Sequence, residues 1–288
     1  VQENPMTKYI DIAGQRQIPA IGLGTWYMGE DPASRQQEIS ALQAGLDAGL
    51  RLVDTAEMYA EGGAEEVVGD ALKGRRDEAL LVSKVYPWNA GKQDAIAACE
   101  ASLRRLQTDR IDLYLLHWRG SVPLDETISA MQTLQQQGKI RAWGVSNFDS
   151  EDMDALWAET GGENCATNQV LYHLGSRGIE YDLLPLCRQR AMPVMAYCPL
   201  AQAGRLRSQL FTDPALNAIA RQKGITVAQL LLAWAIRDGD VLAIPKASSL
   251  VHVRENAAAL DITLSEEDCL RLDRAFPPPQ HKLPLDVV

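Results

Sequence analysis

The chain has 288 residues, 46% of them hydrophobic and 23% charged, with 28 basic against 38 acidic side chains for a net charge of −10. This balance excludes a disordered chain, a coiled coil and a collagen-like fibre. It also argues against nucleic acid as a main partner, because phosphate binding needs a basic face.

No apolar run approaches the ~18–20 residues of a membrane-spanning helix, and the opening VQENPMTKYI lacks the apolar run of a signal peptide. The expectation is a cytoplasmic protein with no membrane partner, and residues 1–6 read as an appended or disordered stretch. Cys99, Cys165, Cys187, Cys198 and Cys269 form no C-x-x-C and include an odd member, so they read as reduced thiols. Four histidines without an H-x-x-x-H pair give no support to a metal site.

In chain order, Thr7–Ile12 and Gln15–Ile18 around Ala13-Gly14 predict a hairpin, expected to cover the N-terminal mouth of a barrel built from the later strands. Continuous apolar runs then predict strands at Ala20–Thr25, Leu50–Thr55, Ala79–Val85, Ile111–His117, Ile140–Ser146, Ala166–Leu171, Pro193–Pro199 and Val241–Lys246. Continuous runs suit parallel strands buried on both faces. Between them, amphipathic segments predict helices at Ser34–Ala48, Ala64–Lys73, Lys92–Leu106, Pro123–Gln137, Ser150–Trp157 and Gly178–Arg190. Two more, Asp213–Lys223 and Thr226–Arg237, precede the last strand. Capping side chains before acids at Asp149-Ser150-Glu151-Asp152 and Ser265-Glu266-Glu267-Asp268 mark helix starts, while Gly49, Gly74 and Gly138 mark helix ends.

Eightfold strand–helix alternation predicts an α/β fold: a (β/α)8 TIM barrel with an N-terminal β-hairpin and extra helices, as one domain over residues 1–288. The rival, a doubly wound open sheet, would divide a chain this long, and no linker or composition shift does so. The dinucleotide fingerprint G-x-G-x-x-G has no usable form, since Gly22-Leu23-Gly24 is followed next by Gly29.

In such a barrel, chemistry collects at the C-terminal ends of the strands. The second candidate strand ends in Asp54 and runs on to Tyr59, the third carries Lys84, and the fourth ends in His117. An ammonium at the end of a buried strand needs a carboxylate, and Asp54 is its natural partner. Lys84 beside Tyr59 would favour the phenolate and lower the phenol pKa, with His117 binding a substrate oxygen or assisting the proton step. Later strand ends carry Ser146-Asn147, Gln169, Tyr197 and Lys246.

These residues stand in motifs. Ile18-Pro19-Ala20-Ile21-Gly22-Leu23-Gly24-Thr25, Leu52-Val53-Asp54-Thr55-Ala56-Glu57-Met58-Tyr59, Val82-Ser83-Lys84, Leu113-Tyr114-Leu115-Leu116-His117-Trp118, Gly144-Val145-Ser146-Asn147-Phe148 and Ile244-Pro245-Lys246 occur in this order. On them the chain resembles the aldo-keto reductase superfamily over essentially its whole length, in particular bacterial members with a short C-terminal tail. The resemblance implies a catalytic tetrad of Asp54, Tyr59, Lys84 and His117, with Tyr59 as general acid. It implies a nicotinamide dinucleotide, NADPH with NADH as the lesser alternative, extended across the barrel mouth. Ser146, Asn147 and Gln169 would hold the carboxamide and Tyr197 would stack on the nicotinamide. Pro199, Leu200 and the following loop with Gln202 would run along the pyrophosphate, Cys198 belongs to the same cofactor set, and Lys246, Ser248, Ser249, His252, Glu255 and Asn256 would surround the adenosine end. Gly24, Thr25, Trp26, Asp54 and Ile244 complete the implied cofactor set. Three positions depart from the family pattern: Cys198 and Ala247 where serines are common, and His252 where an arginine often stands.

Trp26, Tyr27, Tyr86, Trp88 and Trp118 fall near strand ends and predict an aromatic-walled pocket. The expected substrate contacts are Trp26, Tyr59, Trp88, His117 and Trp118. The short proline-rich tail after Phe276 predicts an open pocket, suited to small reactive aldehydes such as methylglyoxal. The leading expectation is therefore an NADPH-dependent reductase of aldehydes and ketones acting as a monomer or weak homo-oligomer. The alternatives are a catalytically weak cofactor-binding interaction or regulatory module, and a barrel acting on sugar phosphates without redox chemistry.

Overall fold

The computed structural model of the chain describes residues 8–288, so the expectation for residues 1–6 lies outside them. The hairpin forms from β1 (Tyr9–Ile12) and β2 (Gln15–Pro19), paired antiparallel with Ile10 opposite Ile18. Ala13 and Gly14 turn the chain at φ of 55° and 73°. Ile10, Ile12 and Ile18 are buried in one cluster with Leu52, Leu80, Leu113, Met195 and Leu242, one residue each from five barrel strands. Gln15 reaches Asp112, near the start of its strand, at 3.4 Å. The hairpin thus covers the N-terminal mouth, as its sequence predicts.

The barrel strands are β3 (Leu23–Gly24), β4 (Leu52–Asp54), β5 (Leu80–Val85), β6 (Ile111–Leu116), β7 (Ile140–Ser146), β8 (Asn168–Leu171), β9 (Val194–Tyr197) and β10 (Val241–Ala243). They lie in consecutive order and every neighbouring pair is parallel. Parallel bridges Ile21–Ala243 and Gly24–Lys246 join the first strand to the last and close the barrel. At that seam a Cβ on Gly24 would lie 2.7 Å from the Ile244 carbonyl oxygen, so the close approach of the two backbones requires glycine. The predicted Ala20–Thr25 strand is represented by a short ladder plus these two bridges.

Around the barrel run α1 (Arg35–Asp47), α2 (Gly63–Ala71), α3 (Lys92–Leu106), α4 (Leu124–Gln136), α5 (Ser150–Ala158), α6 (Leu183–Gln189), α7 (Arg205–Thr212), α8 (Pro214–Lys223), α9 (Val227–Ala235), α10 (Leu250–Ala258) and α11 (Glu266–Ala275). Their apolar faces pack on the outer faces of the strands in a second, larger core cluster. Capping boxes start α5 at Asp149, α9 at Thr226 and α11 at Ser265.

The predicted helix Gly178–Arg190 is broken into a 3-10 turn, Gly178–Glu180, and α6. Pro185 lacks an N–H and its ring would meet the carbonyl four residues earlier, so it is accommodated in the first turn of a new helix. Helices α7 and α10 are additions to the predicted set. All five cysteines are free. No helix among the described residues is long and apolar enough to cross a membrane.

Candidate active site

Parallel register brings three strand ends together: Asp54 closes β4, Lys84 lies next to last in β5, and His117 directly follows β6. Lys84, fully buried, donates to Asp54 Oδ2 at 2.8 Å, the Thr55 carbonyl at 2.9 Å and the Tyr59 hydroxyl at 3.1 Å. An ammonium has three N–H groups, and all three are thereby used. Tyr59 therefore accepts from Lys84 and keeps its own O–H free to point elsewhere. Tyr59 and His117 line a cleft of about 800 Å3 at this end of the barrel, while Lys84 lies behind them. Asp54 Oδ1 is held from the far side by Gln169 Nε2 at 2.8 Å.

Burial dominates the electrostatics. It holds the Tyr59 phenol well above its ordinary pKa, with the Asp54 carboxylate adding to the effect, so the sequence-based expectation of a lowered phenol pKa is not met. Burial also pulls Lys84 down, against the opposing pull of Asp54. His117 is lowered to about 3 by burial and by the Lys84 charge, which makes it a neutral imidazole. Its Nδ1 is buried without a hydrogen-bond partner among the described residues.

The loop that presents Tyr59 is strained. Ala60, Glu61 and Gly62 are consecutive left-handed residues, with φ of 52°, 51° and 94°. A Cβ on Gly62 would lie 2.6 Å from Arg105 Cδ. Arg105 in turn donates to fully buried Glu65, which accepts from Ser83 beside Lys84 at 2.8 Å. A half-buried ion pair thus braces the turn after Tyr59 against the strand carrying Lys84.

The cleft continues over most of the positions expected to take a cofactor. Gly24, Thr25, Trp26, Asp54, Ser146, Asn147, Gln169, Tyr197, Cys198, Pro199, Leu200, Gln202, Ile244, Lys246, His252, Glu255 and Asn256 all line it. Ser248 and Ser249 are not in its lining; Ser249 instead caps α10, accepting from the His252 N–H at 3.2 Å. Asn147 donates to the His117 carbonyl at 3.1 Å and accepts from the Tyr197 hydroxyl at 2.6 Å, with Ser146 bonded to the Gln169 carbonyl at 2.8 Å. Sequence reasoning missed Arg207, Phe211 and Asn217, and Thr226, Val227 and Ala228 at the start of α9, which also line the cleft. Arg207 braces the loop after β9 by donating to the Leu200 and Ala201 carbonyls, both at 2.9 Å. The capping pattern Thr226–Gln229 was a legible signal for a helix start, but nothing in it pointed to the cleft.

The aromatic residues divide. Trp26 stacks on Tyr27 at 4.7 Å and faces Tyr59 at 6.3 Å. Gln202 donates to the Tyr27 hydroxyl, linking the loops after β3 and β9. Trp88 and Trp118 stand outside the cleft lining, joined to it through the 5.1 Å edge contact of Trp118 with His117. The tail does not leave this end of the barrel as open as its length suggests, since Val288 lines the cleft. Lys282, bonded to Asp149 and Asp182, and Asp286, bonded to Ser176, tie the tail down.

A model of the aldo/keto reductase family matches residues 20–276. A methylglyoxal reductase of Escherichia coli is 60% identical over 281 residues, covering 98% of this chain and 99% of that protein. A glyoxal reductase of Bacillus subtilis is 34% identical over 89% of this chain and 88% of its own. A crystal structure of an aldo/keto reductase from Klebsiella pneumoniae in complex with NADP and acetate is 65% identical, covers 98% of this chain and all of that one, and superposes with a TM-score of 0.97. Matched by the family model from the first barrel strand to the end of α11, the chain belongs to the aldo/keto reductase family.

Proposed function

We propose that this protein is an NADPH-dependent reductase of aldehydes and ketones, with small reactive aldehydes such as methylglyoxal as its leading substrates. The observation that carries the reading is the triply bonded Lys84: by donating to the Tyr59 oxygen, it leaves the phenol proton available to the cleft. The names of the relatives support the substrate class, and the Klebsiella pneumoniae complex supports the cofactor.

The residues present fit a nicotinamide dinucleotide. Ser146, Asn147 and Gln169 supply the neutral donors and acceptors a carboxamide needs, Tyr197 offers a flat ring, and Lys246, Arg207 and His252 bring positive or hydrogen-bonding groups toward phosphates. The bound dihydronicotinamide would supply the hydride to the carbonyl carbon. Tyr59 donates its proton to the carbonyl oxygen; its raised pKa keeps that proton in place until negative charge develops there. Lys84 then stabilises the phenolate, and Asp54 holds the ammonium charged and oriented. Neutral His117 positions the substrate oxygen as a hydrogen-bond partner rather than as an acid.

A complete proton-donating cluster at the cleft favours turnover over a weak binding module. The five free cysteines support a cytoplasmic location. We further read the chain as one barrel domain, active as a monomer or weak homo-oligomer. The test is NADPH oxidation with a panel of aldehydes, for the native chain and for Tyr59→Phe. The variant should bind NADPH normally and lose about 100-fold or more in turnover. A variant with near-native turnover overturns the assignment of Tyr59, and a native chain inert toward every carbonyl compound overturns the function.

A further inference from the structure

Glu57 lies two residues before Tyr59 and is only 8% exposed, yet it bonds to no member of the Lys84 cluster through its side chain. Its Oε1 accepts from the Tyr86 backbone N–H at 2.7 Å and from the Asn89 side-chain amide at 3.2 Å. Its own backbone N–H donates to the Lys84 carbonyl at 3.4 Å. One residue thus ties the loop carrying Tyr59 to β5 and to the turn that follows β5.

That turn presents Tyr86 and Trp88, stacked at 4.3 Å. Both rings meet Trp118 edge-on, at 6.2 and 5.7 Å, and Trp118 meets His117 at 5.1 Å. The result is an aromatic wall running outward from His117 to Trp88, which is 62% exposed. A buried carboxylate is unfavourable unless donors surround it. Burial raises the Glu57 pKa, and the Tyr86 and Asn89 donors oppose that rise. The carboxylate is therefore satisfied when the Tyr86–Asn89 turn sits where it does, and each fixes the other.

We propose that Glu57 is a positioning residue for this wall: its carboxylate holds Tyr86 and Trp88 at the placement that lets carbonyl compounds bearing an aromatic ring bind beside His117. The inference rests on the reductase reading, which places the substrate carbonyl between Tyr59 and His117. A ring attached to that carbonyl meets Trp118 and Trp88 by face or edge, whereas a small aldehyde presents no ring for the wall to grip.

The experiment compares Glu57→Ala and Glu57→Gln with the native protein, using NADPH, methylglyoxal and 4-nitrobenzaldehyde. In Glu57→Ala the KM for 4-nitrobenzaldehyde should rise about ten-fold, while kcat and KM for methylglyoxal stay within about two-fold. Glu57→Gln retains an oxygen acceptor for both donors and should bring KM back to within about three-fold of native. Equal losses with both substrates, or a glutamine variant as impaired as the alanine one, overturn the proposal. Should Glu57→Ala fail to fold, Asn89→Ala removes one of the two donors and must give the same substrate split in smaller measure; absence of a split overturns the proposal. Calorimetric titration of the NADP-loaded protein with 4-nitrobenzoate needs no turnover and should show the same weakening in Glu57→Ala. An unchanged affinity there refutes the role of Glu57, whereas a native enzyme inert toward every carbonyl compound refutes the reductase reading alone.

Discussion

Lys84→Met separates the structural from the chemical work of the buried ammonium. Methionine matches the length of lysine and fits an apolar site, but it brings no charge and no donor. The change deletes the bonds of 2.8 Å to Asp54, 2.9 Å to the Thr55 carbonyl and 3.1 Å to Tyr59. Asp54, 2% exposed, is left with Gln169 Nε2 as its remaining side-chain donor. Removing one partner of a buried pair costs about 3–5 kcal/mol, and the surviving amide places this case near ~3 kcal/mol. For a chain of 288 residues, whose unfolding entropy is about 0.6 kcal/mol/K, that lowers Tm by roughly 5 °C.

The chemical loss is separate. A phenolate forming at Tyr59 loses a charge-assisted hydrogen bond worth about 1.5–3 kcal/mol, which corresponds to roughly 10–150-fold in kcat. Adding Asp54→Asn removes the uncompensated charge and should recover most of the lost Tm without recovering turnover. Differential scanning fluorimetry and NADPH oxidation with methylglyoxal read the two effects on the same samples. A Lys84→Met protein with native Tm and native kcat, or a double variant that regains turnover, would refute this account of the cluster.

Gly62→Ala places a Cβ at φ +94°, 2.6 Å from Arg105 Cδ, and should lower both Tm and kcat, whereas Gly138→Ala, at φ +73° in open space, measures the backbone strain alone at about 1 kcal/mol. Equal effects of the two would show that the brace behind Tyr59 is unimportant. Buried His117 and His173 have pKa values lowered to about 3 and about 4, by burial first in each case. The unfolded chain, with histidines near ~6.5, binds more protons below that value, so stability is full above about pH 6.5 and falls as pH drops toward 4. The slope contributed by each histidine is at most about 1.4 kcal/mol per pH unit, and His173→Asn should flatten it in urea unfolding at pH 4.5–7; an unchanged slope would count against the burial argument. His252→Arg, in the cleft lining, should tighten NADPH binding about ten-fold and leave NADH unchanged under the proposed cofactor placement, and parallel changes in both affinities would place His252 away from the phosphate.

The fold was legible because its signals are local. Apolar runs such as Leu80–Val85 and Ile111–Leu116 announce strands buried on both faces, and their fully buried patterns agree. Capping residues Asp149 and Ser265 started helices where their spacing said they would. Less legible was any segment whose conformation is set by a single competing residue. Pro185 divides one predicted helix, and α10 begins at a serine that reads equally well as a ligand and as a cap. The lining residues Arg207 and Asn217 carry no motif, since a lone arginine or asparagine on a helix is ordinary surface until the fold shows which way it faces.

Order along the chain determined the barrel, its closing hairpin and the identity of the polar residues at the strand ends, because helix and strand periodicity and cap chemistry act over a few neighbours. Tertiary structure alone decided how those residues act on one another. The bond that makes Tyr59 an acceptor from Lys84 spans 25 positions, and the one from Gln169 to Asp54 spans 115. Sequence reasoning placed an ammonium beside a phenol and inferred a lowered pKa. Burial reversed that sign, because the desolvation of a charge depends on everything packed around it, and that is a property of the closed barrel rather than of any stretch of chain.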